Sequence, residues 1–132
     1  MCLMLTAILV TVLPTADDDD KTLTSHPTIV KMHKEAQRQR NKYNKPAITL
    51  DEECCQIAQK WANYMASNKK FYHGGDEQII ARGYKNIKPL FRGWMNSSGH
   101  RVWVLSSKST KCGWGCQKSE GGMLYWVGVF SK

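Results

Sequence analysis

The stretch from Thr49 to Asn68 limits the possible folds more than any other part of the chain. Thr49 and Glu52 have the T-x-x-E spacing of a capping box. Behind them Leu50, Cys54, Ile57, Ala58, Trp61, Tyr64 and Met65 recur at helical intervals. The helix should stop around Asn68, where Lys69 and Lys70 suit its C-terminus. A stripe this long must be buried against another element. The far end of the chain offers one. Val102-Trp103-Val104-Leu105 and Lys111-Cys112-Gly113-Trp114-Gly115-Cys116 read as strands. Ser119-Glu120-Gly121-Gly122 then signals a hairpin into a last, central strand over residues 123–130.

An earlier helix should begin near Ser25, a good N-cap, with Pro27 in its first turn. Its inner face is Ile29, His33, Ala36, Arg40 and Tyr43, and Asn41 to Pro46 ends it. The loop Phe71-Tyr72-His73-Gly74-Gly75-Asp76 follows the second helix. Ile87, Leu90, Phe91 and Trp94 line a short helix, and Asn96-Ser97-Ser98-Gly99 is a turn. Two helices first and a hairpin last give an α+β domain, with helices covering a small antiparallel sheet. Trp61, Trp94, Trp103, Trp114 and Trp126 are read as core.

A chain of 132 residues holds one domain. The apolar run from Met1 to Leu13 is too short to span a bilayer and reads as a signal peptide ending near Ala16. Asp17-Asp18-Asp19-Asp20-Lys21 cannot pack and resembles an enteropeptidase cleavage sequence. The division is therefore a signal peptide over 1–16, a linker over 17–27 and a folded domain over 28–132. Taking away residues 1–21 removes four Asp and one Lys and raises the formal charge from +8 to +11. That balance favours anionic partners. The cations are scattered rather than interleaved with stacking aromatics, so nucleic acid is disfavoured.

Cys2 would leave with the signal, so Cys54, Cys55, Cys112 and Cys116 remain. An even set in an exported chain suggests disulfides. A vicinal bridge is rare, and Cys112 and Cys116 on one strand lie about 13 Å apart. Two readings stay open: bridges between the two pairs, or buried thiols acting as small hydrophobes.

Trp94-Met95-Asn96-Ser97-Ser98-Gly99-His100-Arg101 resembles the W-x-x-S-x-G-H-R signature of the CAP superfamily. That superfamily comprises the cysteine-rich secretory, antigen 5 and pathogenesis-related class 1 proteins, and the likeness is to its short, bacterial-type form. Gly113-Trp114-Gly115 is similar to its G-x-G strand and Tyr125-Trp126-Val127 to its last strand. Gln59-Lys60-Trp61-Ala62 is similar to its A-x-x-W-A helix, and Pro46 to Asp51 to the entry before it. His33-Lys34-Glu35 falls where the family has H-N-x-x-R, without the Asn and Arg. The resemblance spans roughly 28–130 and implies an α-β-α sandwich.

It also implies a cleft with two histidines and two acids. By position His73 and His100 are the histidines, and Glu77 is the acid of a G-E-N-I element written here Asp76-Glu77-Gln78-Ile79. The second acid is absent, because Met95, Asn96, Ser97 and Ser98 follow Trp94. Two imidazoles and one carboxylate suit zinc, bound weakly, with water in the fourth position. Catalytic residues are not assignable from spacing. Ser97, Ser98 and His100 are too close for a triad. The implied function is a secreted, non-enzymatic domain of defence or host interaction that binds metal, sterol or lipid, or an anionic membrane or glycan surface. Its rivals are a metal-dependent hydrolase using His73, Glu77 and His100, and a purely cationic surface binder.

Overall fold

The computed structural model describes residues 22–132. The expected signal peptide and the acidic run lie outside the described residues. A 3-10 turn at Leu23–Ser25 leads into α1 (Pro27–Lys42), β1 (Thr49–Leu50) and α2 (Glu52–Asn68). Then come β2 (Gln78–Arg82), α3 (Ile87–Met95), α4 (Ser98–Val104), β3 (Lys111–Lys118) and β4 (Leu124–Ser131). The strands lie in the order β1-β3-β4-β2.

Strand alternation builds two cores, one on each face of the sheet. Cys112 and Trp114 of β3, Trp126 and Phe130 of β4 and Ile79 of β2 pack with α1, α3 and Val104 of α4. On the other face Tyr125, Val127, Val129 and Ile80 pack on Cys54, Ala58, Ala62, Met65 and Ala66 of α2. The result is an α-β-α sandwich of α+β class. The sheet is mixed rather than wholly antiparallel. β4 runs antiparallel to β2 and β3, whereas β1 joins β3 in parallel through Leu50 and Cys112. Asp51 N–H continues that pairing by donating to Cys112 O at 2.8 Å.

Residues 22–27, expected in the linker, are folded into the domain. Leu23 packs against the core, and the Leu23 and Thr24 N–H groups donate to the Glu52 carboxylate at 2.8 and 2.9 Å. Glu52 therefore caps the preceding turn rather than closing a box with Thr49. The α2 N-cap is Asp51, whose Oδ2 accepts from Cys54 N–H at 3.0 Å. His26 replaces Ser25 as the cap of α1, its ring accepting from Thr28 N–H. Tyr43, expected on the inner stripe of α1, lies beyond its last turn and is exposed.

The buried face of α2 is rotated from the expected one. Ile57 and Tyr64 are exposed and Trp61 is half-buried, while the small residues face the sheet. Gly113 and Gly115 set this packing. A β-carbon on either would collide with the α2 backbone at Cys54–Cys55 or Ala58–Gln59. The helix rides directly on these two glycines, and only small side chains fit beside it.

Residues 102–105, expected as a strand, are not one: 102–104 close α4 and Leu105 caps it. Here β-propensity yields to tertiary context. The N–H of Arg101 donates to Ser97 O and that of Leu105 to Arg101 O, which buries Val104 and leaves Val102 outside.

Candidate functional site

The loop between α2 and β2 carries His73 and is pinned from both sides. Trp61 Nε1–H donates to Tyr72 O at 2.9 Å, and Gly74 N–H donates to Oε1 of buried Gln78 at 2.7 Å. Gly74 also lies flat on the Trp61 indole, where a β-carbon would collide. These contacts hold His73 opposite the first turn of α4, which carries His100.

His73 and His100 line one hollow of about 410 Å³, together with Gly75, Asp76, Gln78, Gly99 and Trp103. Burial holds the His100 imidazole below its ordinary range, and the charge of neighbouring His73 pushes it the same way. The neutral ring is therefore favoured, and a neutral imidazole is a nitrogen donor.

Glu77 does not line this hollow. It lines two adjoining ones, the first with Asp51, Glu53 and Lys111, the second with Val102, Lys108 and Lys132. Its backbone carbonyl accepts from Phe130 N–H at 3.0 Å at the end of the sheet. Asp76 and Gln78 line both the histidine hollow and the first of these two, whereas Glu77 lines only the adjoining pair. Position in the G-E-N-I element points to Glu77, whereas the carboxylate residue on the wall of the histidine hollow is its neighbour Asp76. Trp103 is the other residue missed. It stacks on Phe130 at 6.0 Å and forms the wall between the histidine hollow and that of Glu77.

Among the described residues, no three His, Cys, Asp or Glu side chains gather into a ready-made metal centre. What the hollow offers is two imidazoles with one carboxylate residue on its wall. That donor set fits a divalent ion of borderline softness held by few protein ligands.

The four cysteines among the described residues, Cys54, Cys55, Cys112 and Cys116, are free thiols rather than bridged. Cys54 and Cys55 are consecutive on α2 and so point into different cores. Burial raises Cys54 to about 12, and Cys55 and Cys116 to about 11. It raises Cys112 further still. Cys112 Sγ lies 3.5 Å from Nδ1 of His33, and the same nitrogen accepts the Trp114 indole N–H at 3.3 Å. Half-buried His33 thus packs against the core residues Cys112 and Trp114 and does not line the hollow.

The sequence model of the CAP family, the cysteine-rich secretory proteins, matches residues 36–130, most of the chain. The chain belongs to the CAP family. Solved structures agree on the fold. An outer surface protein of Borrelia burgdorferi is 18% identical, with a TM-score of 0.72 over 83% of this chain and 94% of that one. An extracellular protein of Bacillus anthracis containing an SCP domain is also 18% identical, with a TM-score of 0.66. That likeness covers 79% of this chain and 40% of the longer one. The hookworm platelet inhibitor is 10% identical, with a TM-score of 0.58 over 77% and 65% of the two chains. No curated protein matches the chain significantly by sequence. In this CAP domain His73 and His100 share one hollow, and Glu77 lines the two beside it.

Proposed function

We propose that this CAP domain is exported and works by binding rather than by turnover, with the His73–His100 hollow as a weak site for a divalent metal ion. The observation that carries the reading is the convergence of the two imidazoles on one hollow, with burial keeping His100 unprotonated. His73 and His100 supply the nitrogens and Asp76 the nearest carboxylate. Export is supported by relatives described as outer surface and extracellular proteins. Hydrolysis is disfavoured because Glu77, the base it requires, lines other hollows.

Titration calorimetry with zinc or copper tests the site. Parent protein should bind measurably, His73→Ala and His100→Ala should each weaken binding at least about tenfold, and Glu77→Gln should leave it unchanged. Affinity should fall as pH drops through the histidine range, since a protonated ring cannot coordinate. Equal affinity in parent and His100→Ala would end the assignment.

A second reading rests on charge. Of the eleven acids in the sequence, four lie in the run 17–20, and four of the rest (Asp51, Glu53, Asp76 and Glu77) crowd around one hollow. The remaining surface is strongly basic and suits an anionic sterol- or lipid-bearing membrane or an acidic glycan.

A further inference from the structure

Seven large apolar side chains stand exposed among the described residues, and three of them come from the second half of α2 and the loop that follows it. Tyr64, Phe71 and Tyr72 are 42%, 40% and 47% exposed. Tyr64 and Tyr72 form a shelf with Trp61, and Phe71 is the chain neighbour of Tyr72. Tyr64 stacks on Trp61 with centroids 4.8 Å apart, and Tyr72 meets both rings edge-on at 5.2 and 6.4 Å. The two tyrosine hydroxyls are 3.2 Å apart.

Lys60, Lys69 and Lys70 are exposed on the same stretch of chain, and the guanidinium of exposed Arg82 lies 4.6 Å over the Phe71 ring. Lys118 and Glu120 share a small hollow with Lys69. Between residues 54 and 75 the chain has no Asp or Glu. Ile57 lies on the same side of α2 but opens on the acidic hollow of Asp51 and Glu53, which marks where the basic patch ends.

Exposed aromatics accompanied by cations are what a membrane–water interface selects. Tyrosine rings sit at the headgroup level, and Lys and Arg meet anionic headgroups. A sugar platform needs open ring faces. Here Arg82 covers Phe71 and Trp61 covers one face of Tyr64. We infer that the α2 end, through Tyr64, Phe71 and Tyr72 with Lys60, Lys69, Lys70 and Arg82, docks the domain on anionic lipid bilayers. The inference rests on the charge reading above and narrows it to one surface and one partner.

Co-sedimentation of the full chain with phosphatidylcholine vesicles, with and without phosphatidylserine, tests it. Binding should require phosphatidylserine and fade with salt. The pair Lys69→Gln with Lys70→Gln should weaken it about tenfold or more, as should Tyr64→Ser with Tyr72→Ser. Lys31→Gln with Lys34→Gln removes the same charge from the exposed side of α1 and should change binding by no more than about twofold. Hydrogen exchange of the parent should slow over residues 60–72 on vesicles, a readout independent of any variant's folding. Equal losses from both lysine pairs would overturn the patch and leave a diffuse charge effect. No binding by the parent would overturn both. Retention on an acidic glycan by the same residues, without vesicle binding, would overturn the lipid assignment.

Discussion

A β-carbon on Gly113 would run into the backbone nitrogen of Cys55. Strand β3 and helix α2 touch main chain to main chain at this point, and neither can retreat without opening a core. Gly113→Ala should therefore destabilise the fold by about 3 kcal/mol, the upper end for overpacking. Gly121→Ala, placed where a β-carbon meets open space, should stay within about 0.5 kcal/mol. Urea unfolding of the two variants checks the difference. Similar losses would show that α2 can shift to make room.

The tryptophans should separate by burial. Trp114 is fully buried among Phe91, Trp94 and Phe130, so Trp114→Ala should cost about 3–5 kcal/mol. Trp61 is half-buried and gives up two aromatic partners, Tyr64 and Tyr72, and one hydrogen bond, so Trp61→Ala should cost about 1–3 kcal/mol. Denaturant midpoints at constant slope measure both.

His33 should make the domain acid-sensitive. Burial lowers its pKa, with a hydrogen bond to the Ile48 backbone acting weakly the other way. The unfolded chain then binds a proton more readily than the native one. The stability contributed by the neutral ring is complete above the unfolded value of 6.5 and is lost as pH falls from there through the lowered native value. Thermal midpoints between pH 8 and pH 5 should fall in the parent and fall less steeply in His33→Gln. Parallel curves would show that His33 charges without cost.

Arg40 is buried with carbonyl partners rather than an acid. Its guanidinium donates to Pro46 O at 2.7 Å, Val104 O at 3.0 Å and Ser106 O at 2.9 Å, tying α1 to the segments after α1 and α4. Arg40→Ala leaves these acceptors bare and should cost about 2–4 kcal/mol. Arg40→Lys should recover only part, because an ammonium cannot span the same fork. Chemical unfolding of both variants provides the measure.

Much of this was legible in the chain. The apolar spacing from Leu50 to Met65 announced α2, and the glycine-punctuated β3 and aromatic β4 announced the hairpin. The inner face of α2 was not, because nothing in its own sequence says that Gly113 and Gly115 will pull the small residues inward. Val102 to Leu105 looked like a strand for a similar reason. Its helical turn is chosen by what Val104 and Trp103 pack against, not by their propensity. His100 was placed by the W-x-x-S-x-G-H-R likeness and His73 by its position after α2, and the two line one hollow. Glu77 lines only the adjoining ones because of bends before β2 that its loop sequence does not announce.

The thiols of Cys54, Cys55, Cys112 and Cys116 offer a way to watch the molecule breathe. Cys55 and Cys112 have no accessible surface, and burial keeps both protonated at neutral pH. A thiol-blocking reagent can reach them only in the moments when a helix has lifted from the sheet. The rate of labelling at each sulfur, counted by mass, is then a clock for that opening, built into the chain without any added probe. Cys116, partly exposed in the same strand, should label faster and serve as the internal reference.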